Sequence, residues 1–420
     1  MGADLDDIDL TDLDLFADGF PHEVFTRLRA EAPVWWHPPT DRAPGGEGFW
    51  VVSRHADLLE VLHDPATFSS ETGPGREGGG TTLDDLPPGF VTGVMLNMSD
   101  PPTHTRIRAL VNKVFTPRAV EQLDDWLRAR TARVLDSALE AGECDLLVDV
   151  AAELPLQTIA EIMGVPQDDR HQLFEWTSTI LDYRDRDLTG GSDELATAGL
   201  GLRAYGDDLI AEKRATPADD LLSMVVHATS ESPEGGAEGE VETMSAAELQ
   251  AFFSLLFTAG SETTRNSVAA GVLAMVERPD QWRLLKDERS HAPTAVEEIL
   301  RWTSATAYNR RTATVDAVLG GQAIRAGEKT THWYPSANRD EDVFDDPFAF
   351  DVTRAPNPHV AFGHGLHHCL GASLARHEIR VVLDALLDRV HEVQLTGEPE
   401  WGRSNKHTSL RHVPVRLVPA

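Results

Sequence analysis

The sequence has little of two things on which many proteins depend, cysteine and positive charge. Only Cys144 and Cys369 occur in 420 residues, which argues against a disulfide framework. Lys and Arg number 37 against 69 Asp and Glu, and the net charge of −32 argues against nucleic acid and anionic membranes as partners. Long apolar runs are also missing, because the strongest, residues 251–260, is too short to span a bilayer.

The N-terminus lacks the basic and apolar segments of a signal peptide. Residues 1–20 are acidic, and we expect them to form a loosely ordered arm on a soluble, cytoplasmic protein. The hydrophobic fraction of 41% and the charged fraction of 25% are typical of a globular chain with a large core. Residues 69–94 are rich in glycine, which predicts either disorder, favoured for 73–80, or a lid over a pocket.

Residues 359–376, HVAFGHGLHHCLGASLAR, place Cys369 between glycines and the start of an apolar helical pattern. Gly363 and Gly365 allow the backbone to bend sharply and to approach a flat ligand. The helix that follows favours thiolate over thiol, because its dipole stabilises negative charge. A thiolate on a rigid loop suits an axial ligand of heme iron. The alternative is a buried free cysteine that happens to lie near glycines.

A long helix is predicted over residues 245–276, with Ser245 and Glu248 as a capping box and a length of about 45 Å. Its middle, AGSETT at 259–264, puts a carboxylate and hydroxyls inside an apolar pattern. Hydroxyl side chains there can bond to the preceding turn and bend the helix. The alternative is a polar turn that faces the surface.

Two further pairs have helical spacing. His104 and Arg108 are four residues apart on a helix that follows Pro101 and Pro102, so both lie on one face. The alternative for this pair is a solvated basic face. Glu298 and Arg301 are three residues apart on another helix and can form an ion pair.

Together these strings resemble the cytochrome P-450 family. FGHGLHHCLG at 362–371 resembles its heme-binding signature, and three further motifs follow the family's order. The resemblance implies a mainly α fold with a small β-sheet region, in which the heme lies between the long helix and the cysteine loop. Residues 21–420 would form one domain. Strands near residues 34 and 49 would start its small sheet, and the tail, 407–419, would close it.

The resemblance also implies roles for individual residues. Cys369 would be the axial ligand of heme b. Glu262 and Thr263 would be an acid–alcohol pair that guides protons, and Glu298 and Arg301 would brace the fold behind the heme. The other residues of the cofactor loop would be Phe362, Gly363, His367 and Gly371. The propionates would be held by His104, Arg108, Arg311 and His367, with Arg310 a close alternative to Arg311.

The substrate pocket is expected to lie over the heme. Leu255, Thr258 and Ala259 have i, i+3, i+4 spacing, so they share the helix face that continues to the acid–alcohol pair. Met95 from the lid and Thr306 after the Glu298 helix are the other expected contacts. The alternative for each residue is simple core packing.

The family resemblance implies a heme-dependent monooxygenase that hydroxylates a hydrophobic small molecule with dioxygen. Electrons would come from NAD(P)H through a separate ferredoxin and ferredoxin reductase, and we expect a monomer without a membrane anchor. One alternative is a peroxide-dependent or non-monooxygenase heme-thiolate enzyme, and another is a non-catalytic heme-binding protein. The Glu262–Thr263 pair argues against both, because neither needs a proton relay.

Longer sequence strings indicate a branch within the family and therefore a substrate class. LNMSDPPTHTRIR at 96–108 and AGSETTRNS at 259–267 resemble an actinobacterial branch that oxidises steroid side chains and methyl-branched lipids, with terpenoid and polyketide branches nearby. His368 departs from the aromatic or apolar residue that the family more often has before its cysteine.

An acidic ferredoxin is expected to dock on the cysteine side, at a cluster comprising Arg106, Lys113, Arg118, His364 and His368.

Overall fold

Helices dominate the computed structural model, which describes residues 5–89, 91–181, 191–231, 241–408 and 410–420. Apolar side chains at helical spacing bury one face of most of them. The predicted mainly α architecture is confirmed, and none of the described helices is long and apolar enough to cross a bilayer. The helices are α1 (His22–Glu31), α2 (His55–His63), α3 (Thr103–Val111), α4 (Pro117–Glu121), α5 (Asp124–Ala141), α6 (Glu153–Met163), α7 (Arg170–Leu181), α8 (Gly191–Ala215), α9 (Leu221–Val226), α10 (Ala246–Gly260), α11 (Glu262–Val276), α12 (Pro279–Asp287), α13 (Ala292–Thr303), α14 (Tyr334–Ala337) and α15 (Ala372–Arg389).

The strands are short and are spread along the chain between the helices. They are β1 (Val34–His37), β2 (Phe49–Val52), β3 (Phe68–Ser69), β4 (Glu143–Asp145), β5 (Ser230–Glu231), β6 (Val241–Glu242), β7 (Tyr308–Ala313), β8 (Ala317–Leu319), β9 (Gln322–Ile324), β10 (Lys329–Trp333), β11 (Val390–Leu395), β12 (Glu400–Trp401), β13 (Leu410–His412) and β14 (Pro414–Pro419). The largest sheet has the order β1-β2-β10-β7-β3, in which only the β2–β10 pairing is parallel.

The tail does not close that sheet, so this expectation is wrong. β14 pairs with β11 and β4 in a separate sheet, and β13 pairs with β12. Val415 and Leu417 on β14 are buried in the core that α11, α13 and α15 share. The alternating apolar residues of the tail therefore cover the helical core instead of extending β1 and β2.

A buried ion pair ties α13 to the irregular segment that leads into the cysteine loop. Glu298 and Arg301 are both 0% exposed, and their two N–O distances are 2.7 Å. Arg301 also donates to the carbonyl of Pro347 at 2.8 Å, and Arg354 donates to Glu298 at 3.2 Å. Because both charges are paired and hydrogen-bonded, the burial cost is offset and the segment is fixed.

The long helix expected over 245–276 is present as α10 and α11, with an interruption of one residue between Gly260 and Glu262. That residue, Ser261, keeps right-handed helical backbone angles (φ −89°, ψ −48°), so the interruption is a local distortion. The hydroxyl of Ser261 donates to the carbonyl of Phe257 at 3.1 Å, the type of bond that bends helices. Gly260 packs tightly on α6, where an added Cβ would lie 3.0 Å from Ile159 Cδ1. The capping box at the start of α10 is present as predicted.

The glycine-rich stretch has fixed contacts instead of the disorder favoured for residues 73–80. Arg76 donates to the carbonyl of Gly327 at 2.9 Å and pairs with Asp85 at 2.9 Å. The backbones of Gly79 and Leu86 hydrogen-bond to each other. Ionic and backbone contacts with the sheet therefore order this part of the chain.

The acidic arm is also attached to the body, although its sequence suggests a loose segment. Leu10 is 0% and Phe16 is 2% exposed. The backbone N–H of Leu10 donates to Nε2 of the buried His37 at 2.9 Å. A few apolar residues among the carboxylates are therefore enough to dock the arm.

Candidate functional site

The cysteine loop bends sharply before α15. Gly363 and Gly365 have φ values of 68° and 67°, a region that favours glycine. At Gly365 an added Cβ would lie 2.6 Å from the carbonyl oxygen of Leu62, so α2 leaves no room for a side chain. The backbone N–H of Cys369 donates to the carbonyl of Phe362 at 2.9 Å. The loop thereby presents an exposed Cys369 side chain three residues before α15.

The electrostatics of Cys369 differ from the expectation of a free thiolate. Burial by the surrounding protein raises the pKa of the thiol, although the sulfur itself is accessible. The N–H of Gly371 and the charges of Arg108 and Arg376 act against burial and lower that pKa. Desolvation, which the helix-dipole argument did not include, has the larger effect, so the pKa of the Cys369 thiol is raised overall. A coordinated metal ion would supply the missing positive charge, because metal coordination deprotonates a thiol.

Arg108, near Cys369, and Arg311, near His367 of the same loop, carry positive charge without an acidic partner among the described residues. Arg108, on α3, donates to the carbonyl of His368 at 2.8 Å. Arg311, on β7, is 4% exposed and donates to the carbonyl of Arg310 at 2.9 Å. Among the described residues neither arginine has a carboxylate within ion-pair distance. Burial lowers the pKa of both guanidinium groups.

Two histidines complete this group. The rings of His104 and His367 are 4.4 Å apart, and Nε2 of His367 lies 2.9 Å from the hydroxyl of Ser70. His104 is 1% exposed, and both of its ring nitrogens lack a hydrogen-bond partner among the described residues. Burial, followed by the nearby arginine charges, lowers the pKa of His104 to about 4 and that of His367 to about 2. Both rings are therefore neutral at pH 7.

Arg310, the alternative to Arg311, lies on the opposite face of β7, because successive side chains of a strand alternate. It is 0% exposed and pairs with Asp85 of the lid at 2.7 Å. Of the two arginines, only Arg311 is grouped with His104 and His367. The strand therefore separates a lid-binding arginine from a site-facing one.

This donor set fits the heme that the sequence motifs imply. Two unpaired guanidinium groups match the two propionate carboxylates of a heme, and arginine binds carboxylates well. The orphaned ring nitrogens of His104 could donate to a propionate, which would satisfy a buried polar group. Cys369 supplies an accessible sulfur next to these residues. The residues that would hold a heme are therefore His104, Arg108, Arg311, His367 and Cys369.

The acid–alcohol pair lies directly after the break between α10 and α11. Glu262 pairs with Arg265, one helical turn later, and both side chains are 13% exposed. The hydroxyl of Thr263 donates to the carbonyl of Ala259 at 2.9 Å, which leaves its oxygen able to accept another hydrogen bond. Arg265 also lies over the ring of Phe174, 4.8 Å from the centroid. Arg265 was missed from the sequence, although its spacing from Glu262 was a usable signal.

The expected pocket residues come from several elements. Ala259 is exposed, and Leu255 and Thr258 are partly exposed on α10. Met95 directly precedes the turn Leu96–Met98, which packs on α10. Thr306 is positioned by a different element, since its backbone pairs with His407 of the tail.

Ser70 and Asp100 are site residues that the sequence analysis missed. Ser70 contacts His367, and its backbone N–H donates to Asp100 at 3.0 Å. No local pattern links Ser70 to His367, because the two are far apart in the chain.

The comparisons with known proteins agree with this geometry. The model of the family described as cytochrome P450 matches residues 122–408. Cytochrome P450 126 of Mycobacterium tuberculosis is 51% identical, over 99% of this chain and 98% of its own. A methyl-branched lipid omega-hydroxylase of the same species is 40% identical, over 97% of this chain and 94% of its own.

A solved structure agrees at the level of the fold. The Mycobacterium marinum cytochrome P450 CYP268A2, in complex with pseudoionone, superposes with a TM-score of 0.87. It is 35% identical, and the match covers 99% of this chain and 100% of that chain. The chain is therefore similar to these proteins along its whole length.

Replacing Arg108 or Arg311 by Leu should weaken heme retention. Each change removes a charge that a propionate would meet, and a charged partner in a buried site is worth about 2 to 5 kcal/mol. The measurement is the ratio of heme to protein after gel filtration. Arg128→Leu is the control, because that arginine is 49% exposed and pairs with Asp124. Full heme occupancy in both test variants would contradict the assignment.

Proposed function

The chain belongs to the cytochrome P450 family and is a heme-dependent monooxygenase, and we propose that it hydroxylates an elongated, branched apolar molecule with electrons from a separate ferredoxin. The observation that carries the site assignment is that Arg108 lies near Cys369 and Arg311 near His367 of the same loop, while neither arginine has an acidic partner among the described residues.

The cofactor and the chain would divide the chemistry between them. A bound heme b with a thiolate ligand supplies the electron donation that favours cleavage of dioxygen. Cys369 would provide that ligand, while Arg108 and Arg311 fix the orientation of the ring through its propionates. One oxygen atom enters a C–H bond of the substrate and the other leaves as water, with two electrons taken from NAD(P)H.

Glu262 and Thr263 would handle the protons that this reaction consumes. Reduction of one oxygen atom to water needs two protons inside a pocket with little water. Thr263 would pass a proton by rotating its hydroxyl away from the carbonyl of Ala259, to which it donates at 2.9 Å, and would regain one through its oxygen, which can accept a second hydrogen bond. Neighbouring helical side chains point about 100° apart, so Glu262 can face the solvent side while Thr263 faces the pocket. Glu262 would draw protons inward, and its pairing with Arg265 would hold it in place meanwhile.

The proposed substrate is apolar, elongated and branched. Met95, Leu255 and Ala259 offer it a mainly apolar wall, with Thr258 and Thr306 as isolated hydroxyls. A relative with 40% identity is named for the omega-hydroxylation of a methyl-branched lipid. Steroids, terpenoids and polyketides share the apolar, branched character, and a sterol and a terpenoid are tested beside a lipid below.

The electron donor would be a ferredoxin that docks near the cysteine loop. His63 and His364 are exposed beside that loop with rings 4.5 Å apart, and Arg118 is exposed on α4. Arg106 is less available than the sequence suggested, because it pairs with Glu248 at the start of α10. The side chain of Lys113 lies outside the described residues. His368 offers its carbonyl to Arg108.

The proposed function is tested by turnover with a ferredoxin, its reductase and NAD(P)H. The substrates are a methyl-branched fatty acid, a sterol, a terpenoid and a polar amino acid as the negative control. We expect a hydroxylated product from a lipid-like substrate, with one atom of labelled dioxygen incorporated, at a rate that falls with added salt. Product formed equally well with hydrogen peroxide and no electron donor would support the peroxide-dependent alternative, and binding without any product would support a heme-binding protein.

Cys369→Ser should abolish the red-shifted carbon monoxide band that thiolate ligation gives. Serine keeps the size of the side chain but cannot supply the sulfur donor. Cys144→Ser is the matched control, because Cys144 lies on β4 and burial raises the pKa of its thiol to about 11. The band should be unchanged in the control. A band that survives in Cys369→Ser would refute the ligand assignment.

Thr263→Ala should separate NAD(P)H consumption from product formation. The variant keeps the apolar wall and the heme residues but removes the hydroxyl, and positioned proton transfer contributes on the order of 10² to 10⁴ in rate. We expect reducing equivalents to appear as hydrogen peroxide while the substrate-induced spectral shift is unchanged. Thr131→Ala is the control, because its hydroxyl donates to the carbonyl of Leu127 on α5 in the same way and lies outside the proposed pocket. Equal coupling in both variants would mean that protons arrive by another route.

A further inference from the structure

We infer that Lys406 is a positioning residue for the substrate pocket. Lys406 fixes the inner lid segment, residues 78–84, against the start of β7, and the N-terminal arm supports this arrangement. The inference rests on the proposed function for the location of the pocket. It assigns a role in substrate affinity to tail and arm residues that touch neither the heme-binding residues nor the acid–alcohol pair.

Lys406 joins three separate parts of the chain through its ammonium group. Nζ donates to the carbonyl of Thr81 at 3.0 Å, to the carbonyl of Tyr308 at 2.6 Å and to Oδ1 of Asn309 at 2.9 Å. An ammonium has three hydrogens, so these three acceptors can use all of them. One side chain thus holds the lid and both first residues of β7.

Cationic side chains hold the backbone carbonyls of residues 81–84, the second half of the inner lid segment. Arg310 donates through Nη1 to the carbonyls of Thr82 and Asp84 at 3.2 and 3.1 Å. Lys329 donates to the carbonyl of Leu83 at 2.8 Å. With Lys406 on Thr81, four consecutive carbonyls accept hydrogen bonds from cationic side chains, which are the stronger kind.

This segment sets the position of the rest of the lid. Gly79 pairs with Leu86 through the backbone, and Gly80, at φ 104°, packs beside Met98, whose sulfur would lie 3.2 Å from an added Cβ. Met98 ends the turn that begins just after Met95, a proposed pocket residue. A shift of the inner lid segment would therefore displace the pocket edge.

The tail turn that carries Lys406 also holds the other side of the pocket. The backbone N–H of Ala307 donates to the carbonyl of Lys406 at 2.9 Å, and that of Thr408 donates to Ala305 at 2.9 Å. Thr306, between these two contacts, is the proposed pocket residue on this side. One turn thus sets the spacing between Thr306 and the lid.

The N-terminal arm keeps the turn in place. Asn405 is 4% exposed, and its amide donates to the carbonyl of Leu10 at 2.9 Å. Leu10 and Phe16 of the arm share one hydrophobic cluster with Leu83 of the lid and Tyr308 of β7. The arm, the lid and the strand therefore pack as a unit around Lys406.

The consequence should depend on ligand size. A small ligand that binds only at the heme iron does not touch the lid or Thr306. A ligand with a long apolar tail would contact both the lid edge and Thr306, so its affinity depends on the spacing between them. Loss of the Lys406 contacts should therefore weaken the second kind of ligand and spare the first.

The test compares imidazole with 1-dodecylimidazole, which have the same iron-binding head, by titrating the heme spectrum of the holoprotein. In Lys406→Met we expect the dissociation constant of 1-dodecylimidazole to rise about tenfold, the effect of losing a charge-assisted hydrogen bond. The imidazole constant and the carbon monoxide band should stay as in the parent. Lys406→Arg should restore part of the loss, because a guanidinium can reach some of the same carbonyls.

Two further measurements keep the result specific. Lys286→Met is the matched control, since Lys286 also donates to a backbone carbonyl, that of Val390 at 2.6 Å, but on α12. Asn405→Ala, a milder change, should shift the two ligands in the same selective way. The amides of Gly80 and Leu86 should exchange faster in Lys406→Met.

The outcomes separate this inference from the function on which it rests. A parent protein with no carbon monoxide band would overturn the proposed function. A parent with normal spectra, together with a Lys406→Met variant whose affinity for 1-dodecylimidazole is unchanged, would overturn the role of Lys406 alone. Equal weakening of both ligands would also overturn it, because that pattern reports general damage to the heme site.

Discussion

The site depends on one feature, the positive charge of two arginines that lack acidic partners among the described residues. Arg108 lies near Cys369 and Arg311 near His367 of the same loop, both without a carboxylate partner among the described residues, and burying an unpaired charge is costly. Each guanidinium is fixed by a backbone carbonyl, which limits the cost without neutralising the charge. A ligand with two carboxylates would pair with both guanidinium groups. This pairing would offset the cost of burying the two charges and would favour binding of the cofactor.

The fold can hold this arrangement because its neighbouring segments are rigid. The buried pair of Glu298 and Arg301, with Arg354, fixes the irregular segment before the cysteine loop. The left-handed glycines then fix the loop itself, and α2 leaves no space at Gly365. Cysteine and arginines come from distant parts of the chain, so their relative placement depends on these fixed segments and not on local helix propensity.

Local patterns in the sequence predicted the parts of the structure that local physics decides. The capping box of Ser245 and Glu248, the turn before Cys369 and the pairing of Glu298 with Arg301 all depend on residues within one or two turns. The hydroxyl of Ser261 predicted a distortion of the long helix at this point. The packing of Gly260 on Ile159, which accompanies the distortion, is a long-range contact. Periodicity alone could not supply that contact.

Long-range contacts explain what the sequence could not predict. Ser70 reaches His367, and Leu10 reaches His37 and Asn405, across separations that carry no local signal. The thiol of Cys369 shows the same limit for electrostatics, because the helix N-terminus was visible in the sequence but the enclosing protein was not. Desolvation depends on everything that packs around a group, whereas a dipole depends on its own helix.

Burial, and after it the charge of the same arginines, keeps the two histidines neutral. Burial and the two arginines depress the pKa of His104 and of His367, so neither ring adds positive charge near neutral pH. The positive charge of the site then resides on guanidinium groups, which stay protonated across the physiological range. The histidines can instead act as neutral donors whose tautomer follows the bound carboxylate. An anionic ligand between the arginines would cancel part of the field that depresses both pKa values, so cofactor binding and histidine protonation are coupled through these arginines.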